Sequence, residues 1–299
     1  MIARPVPTAP PGEDTLIVPE QPPEYRLSTQ RPPGPTVEGE LAADRRGAGP
    51  PLVLLHALGS SRHVWDPVIP AISEHFDVIA VDLPGFGGSP PLPGTVTPTP
   101  AALAAAIADA LDVAGVRRPH VVGNSLGGWI ALELAALRPL SSLTLLSPAG
   151  LWPRDTPLYC RISLRATRWL TTHIPGVLNR VVNYRLGRIL VLGQSHGRPA
   201  RMSPTQARAA IRAMASCVGF DATLAATIHR RYTPQAPLNL PVTVAFGSRD
   251  RILPRRQWRR ADMLPSHSIV AQLPRCGHFP MADDPAAVTR LIASSAARA

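Results

Sequence analysis

His120-Val121-Val122-Gly123-Asn124-Ser125-Leu126-Gly127-Gly128 decides how this chain is to be read. An apolar run ends in a glycine-flanked serine, and a helix-like run, Trp129 to Leu137, follows at once. Strand, sharp turn and helix in that order form a nucleophile elbow, whose turn strains the serine backbone and pushes its hydroxyl out of the fold. Gly123 and Gly127 are small because strand and helix nearly touch there. A Gly-x-Ser-x-Gly match arises by chance in roughly one chain of this length in ten. The partners of the serine must therefore carry the case.

Outward from the elbow, Leu52-Val53-Leu54-Leu55 and Val78 to Val81 are unbroken apolar runs, and Leu143 to Leu146 and Val242 to Phe246 are apolar but for Thr144 and Thr243. Such runs suit strands buried on both faces of a parallel sheet. Ser268-Ile269-Val270 supplies one more. Between them, Ser60 to His75 reads as a helix or helical loop. Thr99-Pro100 opens an Ala-rich helix ending near Gly115, with Thr as cap and Pro at the first position. Asp284-Pro285 caps a last helix through about Ala296. The alternation predicts a mostly parallel, doubly wound α/β sheet with right-handed crossovers.

Residues 151–235 break the alternation. They read as helices over about 158–172, 177–192, 204–217 and 222–232, with a capping box at Ser203-Pro204-Thr205-Gln206. Leu158, Tyr159, Ile162, Ala166, Trp169 and Leu170 form an apolar stripe at helical spacing, and Arg161, Arg165 and Arg168 lie elsewhere on the wheel. This all-helical insert would cover the strand ends where an open α/β sheet carries its site, as a cap or lid. The expected organisation is a Pro-rich extended arm over 1–35, a core over 36–150 and 236–299, and the helical cap over 151–235.

A serine hydroxyl needs a base within reach, itself oriented by an acid. Val242 to Phe246 runs directly into Gly247-Ser248-Arg249-Asp250, and the strand near Val270 leads to Cys276-Gly277-His278-Phe279. Both loops can reach the elbow, in the order serine, acid, histidine.

With these stretches, His56-Ala57-Leu58-Gly59 and Asp82-Leu83-Pro84-Gly85-Phe86-Gly87-Gly88-Ser89, the sequence resembles the α/β-hydrolase family over about 51–150 and 236–299. The resemblance implies Ser125 as nucleophile, Asp250 as orienting acid and His278 as general base and then acid. It also implies that no cofactor is required. The elbow offers the Leu126 N–H at a helix N-terminus to a developing oxyanion. By resemblance the second donor is the N–H of Leu58. The family usually places Gly after this histidine, and here it is Ala57; a positive φ there would add about 1 kcal/mol of strain. Asp82 is normally structural in this family, and His56 holds the oxyanion loop in shape. Asp155 is the fallback acid, and His267 precedes its strand, on the wrong edge.

Related dehalogenases and epoxide hydrolases carry Asp where Ser125 stands, so serine favours acyl transfer to water from an ester, thioester or lactone. Trp65, Phe86 and Phe279, with Leu58 and Leu126, would line an apolar substrate pocket. Three alternatives remain. Asn124 and Cys276-Gly277-His278 also resemble carbon–carbon bond hydrolases of diketone ring-cleavage products, which need a cationic lid residue such as Arg188 or Arg201. The others are cofactor-free perhydrolysis and a ligand-sensing homologue without turnover.

The chain has 299 residues, 45% hydrophobic, with net charge +11 and mean hydropathy +0.05. No run approaches the about 18 apolar residues of a membrane span. Met1 to Pro11 lacks the apolar core of a signal peptide, so the cytoplasm is expected. Cys160, Cys217 and Cys276 are scattered and suggest neither disulfides nor a metal site. All 31 basic residues are Arg; residues 151–235 hold 13 of them against two acids, and the remainder is balanced. The surplus fits either a solvated helical face or weak contact with an anionic membrane surface. No nucleic-acid-binding motif accompanies it, and either a monomer or a homodimer is compatible.

Overall fold

The computed structural model describes residues 26–28, 40–152, 155–253 and 263–299. Its strands are β1 (Arg26–Ser28), β2 (Glu40–Arg46), β3 (Pro51–Leu55), β4 (Asp77–Val81), β5 (His120–Asn124), β6 (Ser142–Leu146), β7 (Val242–Gly247) and β8 (Ile269–Leu273). They form one sheet in the order β1-β2-β4-β3-β5-β6-β7-β8. β2 runs antiparallel to β4, and every other pairing is parallel. From β3 the chain winds first towards β4 and then, through β5, in the other direction. The reversal opens a crevice at the carboxyl ends of β3 and β5.

The interior strands follow the apolar runs because both of their faces are covered. Leu52 to Leu55 have no exposed surface, and Val121, Val122, Leu143, Leu145, Val242 and Val244 have almost none. α1 (Ile69–Ile72), α2 (Pro100–Val113), α3 (Leu126–Leu137), α9 (Pro280–Asp283) and α10 (Pro285–Ala296) flank the sheet. α3 is apolar except for Glu133 and buried over most of its length, as a helix between sheet and neighbouring helices must be. Thr99 caps α2 by accepting the Ala102 N–H, and Asp284 caps α10 by accepting that of Ala287.

Two parts of the sheet depart from the sequence reading. Arg26–Ser28, inside the stretch read as an arm, pairs in parallel with β2; the rest of residues 1–35 lies outside the described residues. β2 itself had no apolar run to betray it. Its sequence, Glu-Leu-Ala-Ala-Asp-Arg-Arg, buries only Leu41 to Ala43.

Among the described residues, five α-helices lie between β6 and β7: α4 (Leu158–His173), α5 (Pro175–Val181), α6 (Arg185–Leu192), α7 (Pro204–Ser216) and α8 (Phe220–Thr227). The helix expected over 177–192 is broken at residues 182–184. There Arg188 turns back and donates to the Val182 and Asn183 carbonyls, supplying partners that a continuous helix would have provided. Ser203 and Gln206 close their capping box in both directions. Contrary to the ordinary meaning of an apolar stripe, the stripe on α4 faces solvent. Ile162 is 59% and Trp169 56% exposed. Cys160, Ser163, Leu164, Thr167 and Thr171, on the opposite face, line a cavity over the strand ends. Among the described residues, no single helix is long and apolar enough to cross a membrane.

Candidate active site

Ser125 stands between β5 and α3 with φ 55° and ψ −113°, a backbone state that costs a non-glycine residue about 1–3 kcal/mol. The surroundings enforce it. The Ser125 N–H donates to the Leu146 carbonyl, and the Ser125 carbonyl accepts from Gly128, Trp129 and Ala149. A Cβ on Gly123 would sit 2.3 Å from the Gly127 carbonyl oxygen, and one on Gly127 would sit 2.3 Å from that of Leu55. Only glycine permits strand and helix to approach so closely.

Register brings the other groups to the same edge. Leu55 is level with Gly123, Asn124 with Leu146, Leu146 with Ala245, and Gly247 with Leu273. The loops after β3, β5, β7 and β8 therefore open together. On the last two, His278 Nδ1 donates to Asp250 Oδ2 at 2.8 Å. Asp250 Oδ1 accepts the N–H groups of Ile252 and Leu253 at 2.9 and 3.0 Å. Burial alone would push the Asp250 carboxyl up, but His278 beside it and the two amides hold it below its ordinary range. Asp250 is thus a carboxylate aimed at one imidazole nitrogen, leaving Nε2 to the cavity.

Ser125 and His278 line that cavity, of about 280 Å³, together with Leu58, Leu126 and Phe279. Among the described residues no hydrogen bond yet joins Ser125 Oγ to His278, a looseness common before substrate binds. The backbone N–H groups of Leu58 and Leu126 have no partner among the described residues. Two unpaired donors beside a serine are costly unless an acceptor visits. Ala57 is not among the residues with positive φ, which falls instead on Gly59 at 73°. Ala57 therefore carries none of the strain that a positive φ would bring, because the loop turns two residues later.

His56 is fully buried; its Nε2 accepts the Leu83 N–H at 3.0 Å and its Nδ1 donates to the Ala57 carbonyl at 2.8 Å. Burial holds its pKa down, so the ring is a neutral clasp on the Leu58 loop. Asp82 is also fully buried and accepts the Arg62 and Gly88 N–H groups, at 2.6 and 2.8 Å, and the Arg62 guanidinium. Asp155 pairs instead with His229 at an exposed position, and His267 reaches the Leu240 carbonyl. Asn124 donates to the Leu146 and His278 carbonyls, both at 3.0 Å, tying the elbow strand to the histidine loop.

Two expected lining residues are corrected. Trp65 and Phe86 are buried in the cores on the two faces of the sheet and do not line the cavity. Their places are taken by Trp129, Trp152, Met202 and Met214, which sequence reading missed because three of them come from the insert or its borders. Arg188 and Arg201 do not line it either; among the described residues no arginine does.

Asp283 is a further residue that the sequence did not flag. Its carboxylate accepts the N–H groups of Gly197, Arg198 and Gly277 at 2.7, 2.8 and 2.7 Å. The Ser195 carbonyl accepts the His278 N–H at 2.7 Å. His196, stacked on Phe279 at 5.3 Å, completes a seam between insert and histidine loop. Its partners lie about eighty residues apart, so no local pattern announces it. The three cysteines are free and buried; burial pushes the thiols up, to about 12 for Cys160 and Cys276 and about 11 for Cys217.

Residues 52–291 match the family model described as the alpha/beta hydrolase family. The pimeloyl-[acyl-carrier protein] methyl ester esterase of Aeromonas hydrophila is 29% identical, over 82% of this chain and 94% of that protein. Epoxide hydrolase EphH of Mycobacterium tuberculosis is 29% identical, over 62% of this chain and 88% of its own length. Among solved structures, a thermophilic esterase from Thermogutta terrifontis superposes with a TM-score of 0.68 at 23% identity, covering 87% of this chain and 94% of the other. The sheet order, the strained serine at its switch point and a sequence match spanning most of the chain agree: this protein belongs to the α/β hydrolase family, and it is a hydrolase.

Proposed function

We propose that this protein is a serine esterase acting on carboxylic esters with an apolar acyl group. One observation carries the reading: a strained serine shares an apolar cavity with a buried His278–Asp250 pair and two unpaired backbone donors. As Ser125 Oγ attacks the ester carbonyl, His278 Nε2 takes its proton, and Asp250 stabilises the imidazolium. The N–H groups of Leu58 and Leu126 receive the negative oxygen of the tetrahedral intermediate, a contribution worth about 100- to 1,000-fold per donor. Collapse expels the alcohol with the proton from His278. Water then attacks the acyl-serine, His278 takes its proton, and the acid departs as Ser125 regains its hydrogen.

Three features support this reaction over its relatives. A serine at the elbow lacks the carboxylate by which epoxide hydrolases of this fold attack. Carbon–carbon cleavage of diketone acids calls for a cation facing the substrate carboxylate, and the described cavity wall holds no arginine. The name of the Aeromonas relative is that of a methyl ester esterase, which fits the same chemistry. The segment 151–235 serves as the cap whose inner faces close the cavity.

The test is turnover of p-nitrophenyl butyrate. Wild-type protein turns over many equivalents, and Ser125→Ala loses at least about 1,000-fold with an unchanged melting curve. Release that stops after about one equivalent would mark a ligand-sensing homologue instead.

A further inference from the structure

α4 is amphipathic in the wrong direction for a helix that only closes a cavity. Apart from Leu164, its inner face is built of small and hydroxyl-bearing residues, whereas Leu158, Tyr159, Ile162, Trp169 and Leu170 stand 39–65% exposed on its outer face. α5 and α6 extend the pattern, with Val177, Leu186 and Leu190 between 54 and 74% exposed. Tyr184, between these two helices, is 73% exposed. Large apolar side chains exposed in this number over three consecutive helices mark a contact with something else.

The charge says what that something is. The insert carries 13 Arg and two acids, so two copies meeting through this face would bring like fields together. α6 carries Leu186 and Leu190 on the exposed face, and it also supplies Arg185 to a concavity of about 360 Å³. That concavity is lined as well by Arg198, Arg201, Arg249 and Arg251. Guanidinium groups bordering an apolar and aromatic surface match a layer of lipid phosphates over acyl chains, where Trp and Tyr favour the boundary. The 16 residues of α4 give it a length of about 24 Å, enough to lie along such a surface.

We infer that the outer face of α4–α6 docks on an anionic lipid bilayer, the apolar side chains entering the headgroup boundary and the surrounding arginines contacting lipid phosphates. The docked helix would stand about one helix diameter, 10 Å, between bilayer and cavity. Docking does not depend on the esterase reading, and it is measured without any substrate.

The experiment is co-sedimentation of the full chain with phosphatidylcholine vesicles, with and without phosphatidylglycerol. Wild-type protein binds the phosphatidylglycerol vesicles and leaves the pure phosphatidylcholine ones. The variant Ile162→Ser with Trp169→Ser loses at least about tenfold in partition, because binding scales with buried apolar area. The variant Arg185→Glu with Arg201→Glu loses at least about tenfold at low salt, each basic residue near an anionic surface being worth about 1 kcal/mol. Circular dichroism melts confirm that both variants fold. Failure of the wild type to bind anionic vesicles, or equal binding by all three proteins, overturns the inference. So does a dimer, seen by sedimentation velocity, that the Ile162→Ser/Trp169→Ser variant dissolves while vesicles are ignored.

Discussion

The sheet and the helical insert dispose of apolar side chains by opposite rules. In strands β3 to β7 of the sheet, leucines and valines are hidden on both faces, and the strained residue in the central turn is the serine meant to protrude. In α4, all the large apolar residues but Leu164 point to solvent, while serine and threonine face the cavity. The difference teaches that periodicity identifies a helical face but not which way it looks. A helix over a cavity has two neighbours to satisfy, the cavity and whatever lies outside, and α4 gives its apolar face to the second.

The comparison can be broken most severely at the carboxylate that the sheet delivers. Asp250→Asn should keep the fold and lower turnover by about 10,000-fold, because the imidazole loses both its tautomer and its counter-charge. A decrease of less than about tenfold would mean that another acid orients His278. Next in size is a matched pair of truncations. Leu132→Ala, at a fully buried position of α3, should cost about 2–5 kcal/mol in urea unfolding. Leu158→Ala, 65% exposed on α4, should change stability by no more than about 0.5 kcal/mol. Equal costs would show that the α4 stripe is packed after all.

These contrasts also explain what was legible in the sequence. β3 to β7 and the elbow could be read because continuous apolar runs and a glycine-flanked serine are local signals. Asp250 could be placed because its loop follows such a strand at once, and His278 because its loop lies between β8 and the last helices. β2 was hidden by its charges, since an antiparallel strand near the sheet edge needs only three buried residues. Trp65 and Phe86 looked like pocket walls, but whether an aromatic ring faces a cavity or a core is decided by tertiary packing. The seam around Asp283 was invisible because it joins backbone amides from two distant loops.

The smallest expected effect concerns pH. Burial lowers the pKa of His56, His120 and His196 from the ordinary 6.5. These rings stay neutral in the folded protein while the unfolded chain takes up protons below that value. The stability these three rings contribute is therefore fully present above about pH 6.5 and declines as pH falls from there, while His63, raised by its hydrogen bond to Asp66, acts in the opposite sense. The urea midpoint at pH 5.5 should lie below that at pH 7.5, and His196→Phe should reduce the difference. A midpoint that rises on acidification would reverse the sign.

The sharpest test is to catch the covalent intermediate. Wild-type protein mixed with p-nitrophenyl butyrate, quenched in acid during turnover and digested, should yield one butyrylated peptide, with the acyl group on Ser125. Acylation at any other residue, or steady turnover by Ser125→Ala, would contradict the central role of this hydroxyl.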